Sequence, residues 1–365
     1  MLHPFDDYPV HQVGQPLLDT AVAVPNSFDR YFFNGYSPDA DIFFALAFGL
    51  YPGRQVIDAG FSVVRNGEQV CMLASGRMPR DRATRVGPVR VEVVEPMRVL
   101  RIVVDDCDES NGLSADLVFT ARTTAIEEPP FREISTAQAT TDYTRFTQFG
   151  SWSGMLSVDG EPCDVDSNWR GCRDRSWGVR NVGERLPGAP AQTLPDAVWI
   201  WTPVNFDDAC THMDYMGFTN GRERHSSGFI APVGGDASAL RTMATISHDV
   251  KWKSGTRWAE SATIGLTALD GTSEEIRLES VLRFQMGGIG YFDPERAHGT
   301  WQGEESVIGR RFRVDSVDPS LPANFHVQNL CRATWGDRTG LGVLEHIVVG
   351  PYAAGGFTGM TDGAP

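Results

Sequence analysis

The residues best suited to chemistry crowd into the stretch Asn168 to Arg180. It holds four arginines, one carboxylate, two tryptophans and two glycines. Extended, this stretch places Arg173, Arg175 and Trp177 on one face and Asp174 and Ser176 on the other, because successive side chains of a strand alternate. Adjacent charges of this kind are costly to bury unless paired. Two readings stay open: a structural Arg–Asp network closing one domain onto another, or the polar floor of a ligand pocket that includes Arg180. His212 and Asp214 form a second group. On a strand they share a face, which suits proton transfer, with the aspartate orienting the histidine or acting as the acid itself. An outward polar row is the plain structural alternative. Trp199 and Trp201 share a face on the preceding run and would line a pocket mouth or fill a core.

A third group is His298, Trp301 and Glu304, with Glu304 a fitting ion partner for a buried arginine. Glu345 and His346 form a fourth, and as strand neighbours only one of them can enter a given interior. None of the histidine regions has tight metal-ligand spacing, and no metal is expected. Gly150 to Gly154 (Gly-Ser-Trp-Ser-Gly) is not a nucleophile elbow, and the glycine runs near 287 and 340 lack the strand-then-helix context of a phosphate loop.

The elements that must position these groups read as strands. Short apolar runs such as Ile42–Leu50, Val56–Val64 and Val99–Val104 are separated by turn signals, with almost no helical periodicity. Asn66-Gly67 is the strongest hairpin signal. The expected fold is all-β: two lipocalin-like antiparallel barrel or sandwich domains side by side, spanning 27–146 and 147–354. Met1 to Asn26 reads as an arm on the surface or tucked against a barrel mouth, Thr136–Arg145 as a short helix or linker, and Gly183–Pro195 as a loop. A weak internal symmetry sets Asp41–Leu50, Gln55–Val64 and Asn66-Gly67 beside Val198–Pro203, His212–Thr219 and Asn220-Gly221.

A net charge of −15 argues against nucleic acid or an anionic membrane as partner. The six cysteines are scattered without a C-x-x-C. No secretory signal is visible and the longest apolar run is too short to span a bilayer as a helix, so a cytoplasmic location is expected.

The run Gly171 to Arg180 (Gly-Cys-Arg-Asp-Arg-Ser-Trp-Gly-Val-Arg) resembles the Gly-x-Arg-Asp-His-Ser-Trp-Gly-x-Arg motif of a bacterial family of two-domain lipocalin-like proteins, distantly similar to carotenoid hydratases and AttH-like proteins. His298 to Glu304, Gly340 to His346 and Gly350-Pro351 look like that family's C-terminal signatures, so the resemblance covers roughly residues 31–351. It implies a pocket for an apolar, often isoprenoid, steroid or polyketide-like molecule. The chemistry it implies is hydration, isomerisation or cyclisation, without an organic cofactor. Asp174 falls on the motif's acidic position, whereas Arg175 stands where the family usually has histidine. The expected partner is a hydrophobic small molecule, with neither nucleic acid nor membrane, and a homodimer is left open. Three functions are in competition: acid catalysis by Asp174 or Asp214, non-catalytic carriage of a hydrophobic ligand, and a purely structural or interaction role.

Overall fold

The apolar run Ile42–Tyr51 shows how the chain is built. It is one strand buried along its whole length. Phe44, Leu46, Phe48 and Leu50 enter one core cluster, while Phe43 and Ala45 enter another. A continuous apolar run is what a strand covered on both faces requires. The computed structural model describes residues 7–9, 24–135, 138–183 and 196–365.

Strands β1 (Ser27–Tyr36), β2 (Ile42–Tyr51), β3 (Val56–Arg65) and β4 (Glu68–Arg77) form an antiparallel meander. Strands β5 (Arg85–Val86), β6 (Val89–Glu95), β7 (Val99–Val104) and β8 (Ser114–Ala121) follow. Short β9 (Ile126–Glu127) and β10 (Phe131–Ser135), long β11 (Gln138–Val158), β12 (Glu161–Val165) and β13 (Arg170–Val179) complete the run. The second half opens with β14 (Ala197–Asn205), β15 (Ala209–Gly217), β16 (Glu223–Pro232) and β17 (Arg241–Thr242). It continues with β18 (Thr245–Trp252), β19 (Ala259–Thr267), β20 (Ser273–Gln285), β21 (Glu305–Arg313), β22 (Val327–Trp335) and β23 (Arg338–Val349).

The fold is all-β, with two lipocalin-like domains formed by a nearly closed barrel and a half-barrel. The first sheet runs β21-β4-β3-β2-β1-β13-β11-β8-β7-β6-β5 and the second β17-β16-β15-β14-β23-β22-β20-β19-β18. Both sheets follow one plan. A four-strand meander leads out, a second meander returns, and the last strand of the return pairs with the first strand of all. Strand order therefore matches β1–β4 with β14–β17, which places the internal symmetry one strand away from the sequence expectation. Asn66-Gly67 joins the third and fourth strands of its meander, whereas Asn220-Gly221 joins the second and third. The former is a two-residue hairpin with positive φ at both positions (54° and 73°), as its sequence predicts.

Two further expectations change. The stretch expected as a helix or linker at 136–145 is strand from Gln138 onward, positions 136 and 137 lying outside the described residues. Pairing with both β13 and β10 uses its backbone groups. The boundary expected at 146/147 falls within β11, and the first sheet also takes in β12, β13 and β21. The loop expected at 183–195 lies outside the described residues apart from Gly183.

Side chains on β1, β2, β8 and β11 that point into the first barrel fill it. Trp152 packs against Phe33, Phe44 and Phe119 with ring centroids 5.8, 5.1 and 5.3 Å away, and its indole donates to the Asn34 carbonyl at 2.9 Å. The opposite face of β1, β2, β11 and β13 meets the second sheet. There Phe32 lies 6.2 Å from Trp201 and Phe43 lies 5.2 Å from Phe284, centroid to centroid.

Gly171 is required where these layers meet. A Cβ at this position would lie 2.0 Å from the Asn34 carbonyl oxygen and 2.7 Å from the Trp152 indole nitrogen. The variant G171A should lose about 2–3 kcal/mol of stability in urea unfolding, as overpacking typically costs. Unchanged stability would mean that β1 and β13 are not so closely apposed.

Candidate active site between the two sheets

Alternation on β13 sorts the sequence motif. Arg173 and Arg175 point into the first barrel, where both are fully buried. Arg173 is ion-paired with Asp7 and donates from Nε to the Gln148 side-chain oxygen at 2.9 Å. Arg175 is ion-paired with Asp29 and donates to the carbonyls of Arg30 and Tyr8, each at 2.9 Å. These two expected ligand-binding arginines thus hold the N-terminal residues 7–9 at the barrel mouth. Trp177 packs edge-on to Phe146 on the same side. Arg180 lies over the Phe28 ring, 4.6 Å from its centroid.

Asp174 points the other way, into the layer between the sheets. The same layer receives Arg145 and Thr147 from β11, Glu128 from the segment before it, and Trp199, Trp201, His212 and Asp214 from β14 and β15. Arg145 donates to Glu128 at 2.7 Å and to Asp214 at 2.6 Å. Thr147 adds a hydroxyl bond to Glu128 at 2.7 Å, and the Trp199 indole donates to Asp214 at 2.8 Å. His212 Nε2 lies 3.3 Å from Glu128, and His225 Nε2 lies 3.1 Å from Asp214. Burial alone would raise the Glu128 carboxyl, yet the Arg145 guanidinium holds it well below the usual carboxylate range. Across the layer His326 is 2.6 Å from Glu345, and Gln328 donates to the other oxygen of Glu345 at 2.5 Å. Asn34 of β1 closes that chain by donating to Gln328 at 3.3 Å.

Glu128, Asp214 and Glu345 are therefore each bonded by named partners. Asp174 has no hydrogen bond or ion pair among the described residues and is half-buried. Burial pushes its carboxyl up to about 6, against the pull of Arg145 and Arg30 and with added repulsion from Glu128 and Glu345. Burial also pushes the Asp58 carboxyl, in the same row as Arg30, up to about 6, but the Tyr51 hydroxyl at 3.1 Å and the Gly299 amide at 2.6 Å bond it, so Asp174 is the raised acid here that no described group bonds. Glu128, Asp214 and His225 also present one ligand atom each within 4.8 Å of one another, the kind of set a divalent cation would use. The Arg145 guanidinium binds both of these carboxylates and supplies the counter-charge itself.

The remaining expected residues scatter. His298 sits beside Tyr291, centroids 4.5 Å apart, and donates from Nε2 to the Ile289 carbonyl at 2.7 Å. Burial, then the Arg30 charge, hold this imidazole well below its ordinary pKa, so it is neutral. Trp301 is 42% exposed and carries Arg77 over its ring. Glu304, expected to pair with the buried arginine cluster, instead bonds Arg77 on the surface at 2.6 Å. The cause is the excursion between β20 and β22, which leaves the second sheet so that β21 can pair with β4. Glu345 and His346 take opposite faces as alternation requires. His346 turns into the second domain and accepts the Ala259 amide at 3.0 Å, and burial lowers its pKa to about 3.

Sequence reasoning missed Arg145, Glu128, His225 and His326. The only local trace was alternation in Tyr143 to Phe149, which sets Arg145 and Thr147 on one face. Contacts such as Arg145 to Asp214 join positions 69 residues apart and leave no spacing signal.

Fold and layer together define a protein with two lipocalin-like domains and a buried polar layer between their sheets. The chain belongs to a family of unknown function, DUF8625, whose model matches residues 2–358. No curated protein matches it. Among solved structures it is similar to a putative AttH from Nitrosomonas europaea, at 14% identity and a TM-score of 0.55, covering 88% of this chain and 92% of that one. It is also similar to kievitone hydratase from Nectria haematococca, at 11% identity and a TM-score of 0.52, covering 87% and 88%. CghA is a third, at 9% identity and a TM-score of 0.52, covering 89% and 88%. At these identities the likeness is one of fold. No helix among the described residues is long and apolar enough to cross a membrane.

Removing one partner of a buried ion pair leaves an uncompensated charge, which costs about 3–5 kcal/mol. R145A, which strands both Glu128 and Asp214, should lose that much in chemical denaturation. A loss below about 1 kcal/mol, the range of a surface pair, would contradict the buried network.

Proposed function

We propose that the protein is a cofactor-independent hydratase, isomerase or cyclase acting on an unsaturated, largely apolar small molecule that binds between the sheets. Asp174 is the acid. The observation that carries this reading is its half-buried carboxyl, left unbonded among the described residues while its neighbours are engaged, with a pKa raised to about 6.

The neutral carboxyl gives its proton to one carbon of a double bond, and the other carbon becomes electron-deficient. The Trp201 ring, packed on Phe32 opposite Asp174, stabilises that developing charge. Water then adds and returns a proton to the Asp174 carboxylate, or a neighbouring carbon loses its proton to it, or the carbon of a second double bond closes a ring and the new cation loses a proton to the carboxylate. Each route restores the acid. His212 and Asp214 position the layer through Glu128, Arg145 and Trp199. Hydratase-type fold relatives support this reading at the level of architecture.

Carriage without turnover is the second reading. A cavity of about 350 Å³ at the mouth of the first barrel, lined by Tyr8, Pro9, Tyr31, Arg82, Val91 and Val93, favours it. That volume falls within the range of small-ligand sites.

The discriminating experiment is turnover of whatever molecule co-purifies with the protein from its own host. D174N should lose at least about a hundredfold in kcat. For the wild type, kcat/KM should fall about tenfold per pH unit above about 6, as the acid ionises. Retained activity in D174N would rule out this acid. The carboxyl should also leave a mark on stability. Its folded pKa lies above the unfolded value of about 3.9, so the folded state is progressively penalised as pH rises through that interval and uniformly above it. D174N should therefore be about 1–2 kcal/mol more stable than wild type at pH 7.5 and no more stable at pH 4, the full shift being reduced because the carboxyl keeps some solvent contact.

A further inference from the structure

Arg30 is a buried cation that the carboxyls of Asp58 and Asp174 act on through space but that no described carboxylate bonds. Among the described residues six arginines are buried: Arg30, Arg82, Arg145, Arg173, Arg175 and Arg257. Arg82 donates to the Pro9 carbonyl, Arg145 is held by Glu128 and Asp214, Arg173 by Asp7, Arg175 by Asp29, and Arg257 by Asp362 and several carbonyls. Arg30 is 2% exposed, and its Nε and Nη2 have no hydrogen-bond partner among the described residues. Its guanidinium lies over the Tyr291 ring, 5.0 Å from the centroid. An unpaired buried cation is expensive, so a protein that keeps one has a use for the charge.

Its position says what the use is. On β1, Arg30 is opposite Ser176 and Phe32 is opposite Asp174. Arg30 and Asp174 are thus diagonal neighbours on the face that meets the second sheet, a relation that brings side chains within reach of one ligand. The planar fork of an arginine matches a carboxylate with two parallel hydrogen bonds. We propose that Arg30 binds a carboxylate of the ligand, so that the substrate is an unsaturated carboxylic acid whose double bond is presented to Asp174. The inference rests on the inter-sheet layer being the ligand site, but it is independent of turnover. Tyr291 holds the guanidinium flat, and His298, neutral and bonded away to Ile289, does not compete for the anion.

The test uses matched probes: cis-parinaric acid, a fluorescent conjugated polyene carboxylate, and its uncharged methyl ester. Each is titrated against wild type, Arg30→Gln, Arg30→Lys and Asp174→Asn at pH 7.5. Wild type should bind the acid at least about tenfold more tightly than the ester, as a charge-assisted bidentate contact provides. Arg30→Gln should bind the ester as wild type does and lose the preference. Arg30→Lys, which keeps the charge without the fork, should retain part of it and guards against a folding defect in the glutamine variant. Asp174→Asn should keep the preference whole, so a failure of the catalytic reading is distinguishable from a failure of this one. The proposal is overturned if wild type binds both probes alike or binds neither, or if Arg30→Gln keeps its preference for the acid.

Discussion

One buried guanidinium ties the two domains together. Arg145 belongs to the first sheet and Asp214 to the second, and with Glu128 they share charge in a layer with almost no access to water. Such a group is no bargain in stability, because desolvation of three charged side chains consumes most of the Coulomb energy. Its value is in specificity: the pair can be satisfied in only one relative placement of the sheets. Apolar packing of Phe32, Phe43, Trp201 and Phe284 beside it supplies the adhesion that the ion network lacks. Once Arg145, Trp199 and His225 have claimed Asp214, and Arg145 and Thr147 have claimed Glu128, the remaining carboxyl in reach is Asp174. Burial raises its pKa, and the pull of Arg145 and Arg30 does not offset that.

Strand alternation explains why one short motif serves two purposes. Arg173 and Arg175 face the first barrel and anchor residues 7–9, while Asp174 between them faces the second domain. The arginine at position 175, where the resembled family usually has histidine, therefore bears on docking of the N-terminal residues rather than on proton transfer between the sheets. Both glycines of the motif are backbone requirements. Gly171 allows β13 to approach β1 and Trp152, and Gly178, at φ 139°, sits where a Cβ would lie 2.3 Å from the Asp142 carbonyl oxygen.

The sequence carried the fold class because its signals are local. Fully apolar Ile42–Tyr51 and the Asn66-Gly67 turn each state their conformation within a few residues. The stretch after Ser135 misled because its residues are polar. Polarity there reflects a strand whose outward groups, Arg145 and Thr147, are partners in a buried network rather than exposed helix or linker positions. The site was legible only in part. Asp174, His212, Asp214 and Trp199 could be singled out from residue type and alternation, and the structure brings them into one layer. Arg30, Glu128 and His326 enter that layer from separate parts of the chain, and Glu304 lies away from it because the β20–β22 excursion crosses to the first sheet. Pairings of that kind depend on topology, which no spacing rule reports.

Acid catalysis by Asp174 requires its carboxyl to hold a proton at mildly acidic pH inside the folded protein. Carboxyl carbon NMR of protein labelled with 13C-aspartate, with D174N supplying the assignment, measures this directly. The account requires the Asp174 resonance to titrate near about pH 6. A resonance that remains that of the carboxylate down to about pH 4, the range of an ordinary exposed aspartate, would contradict it.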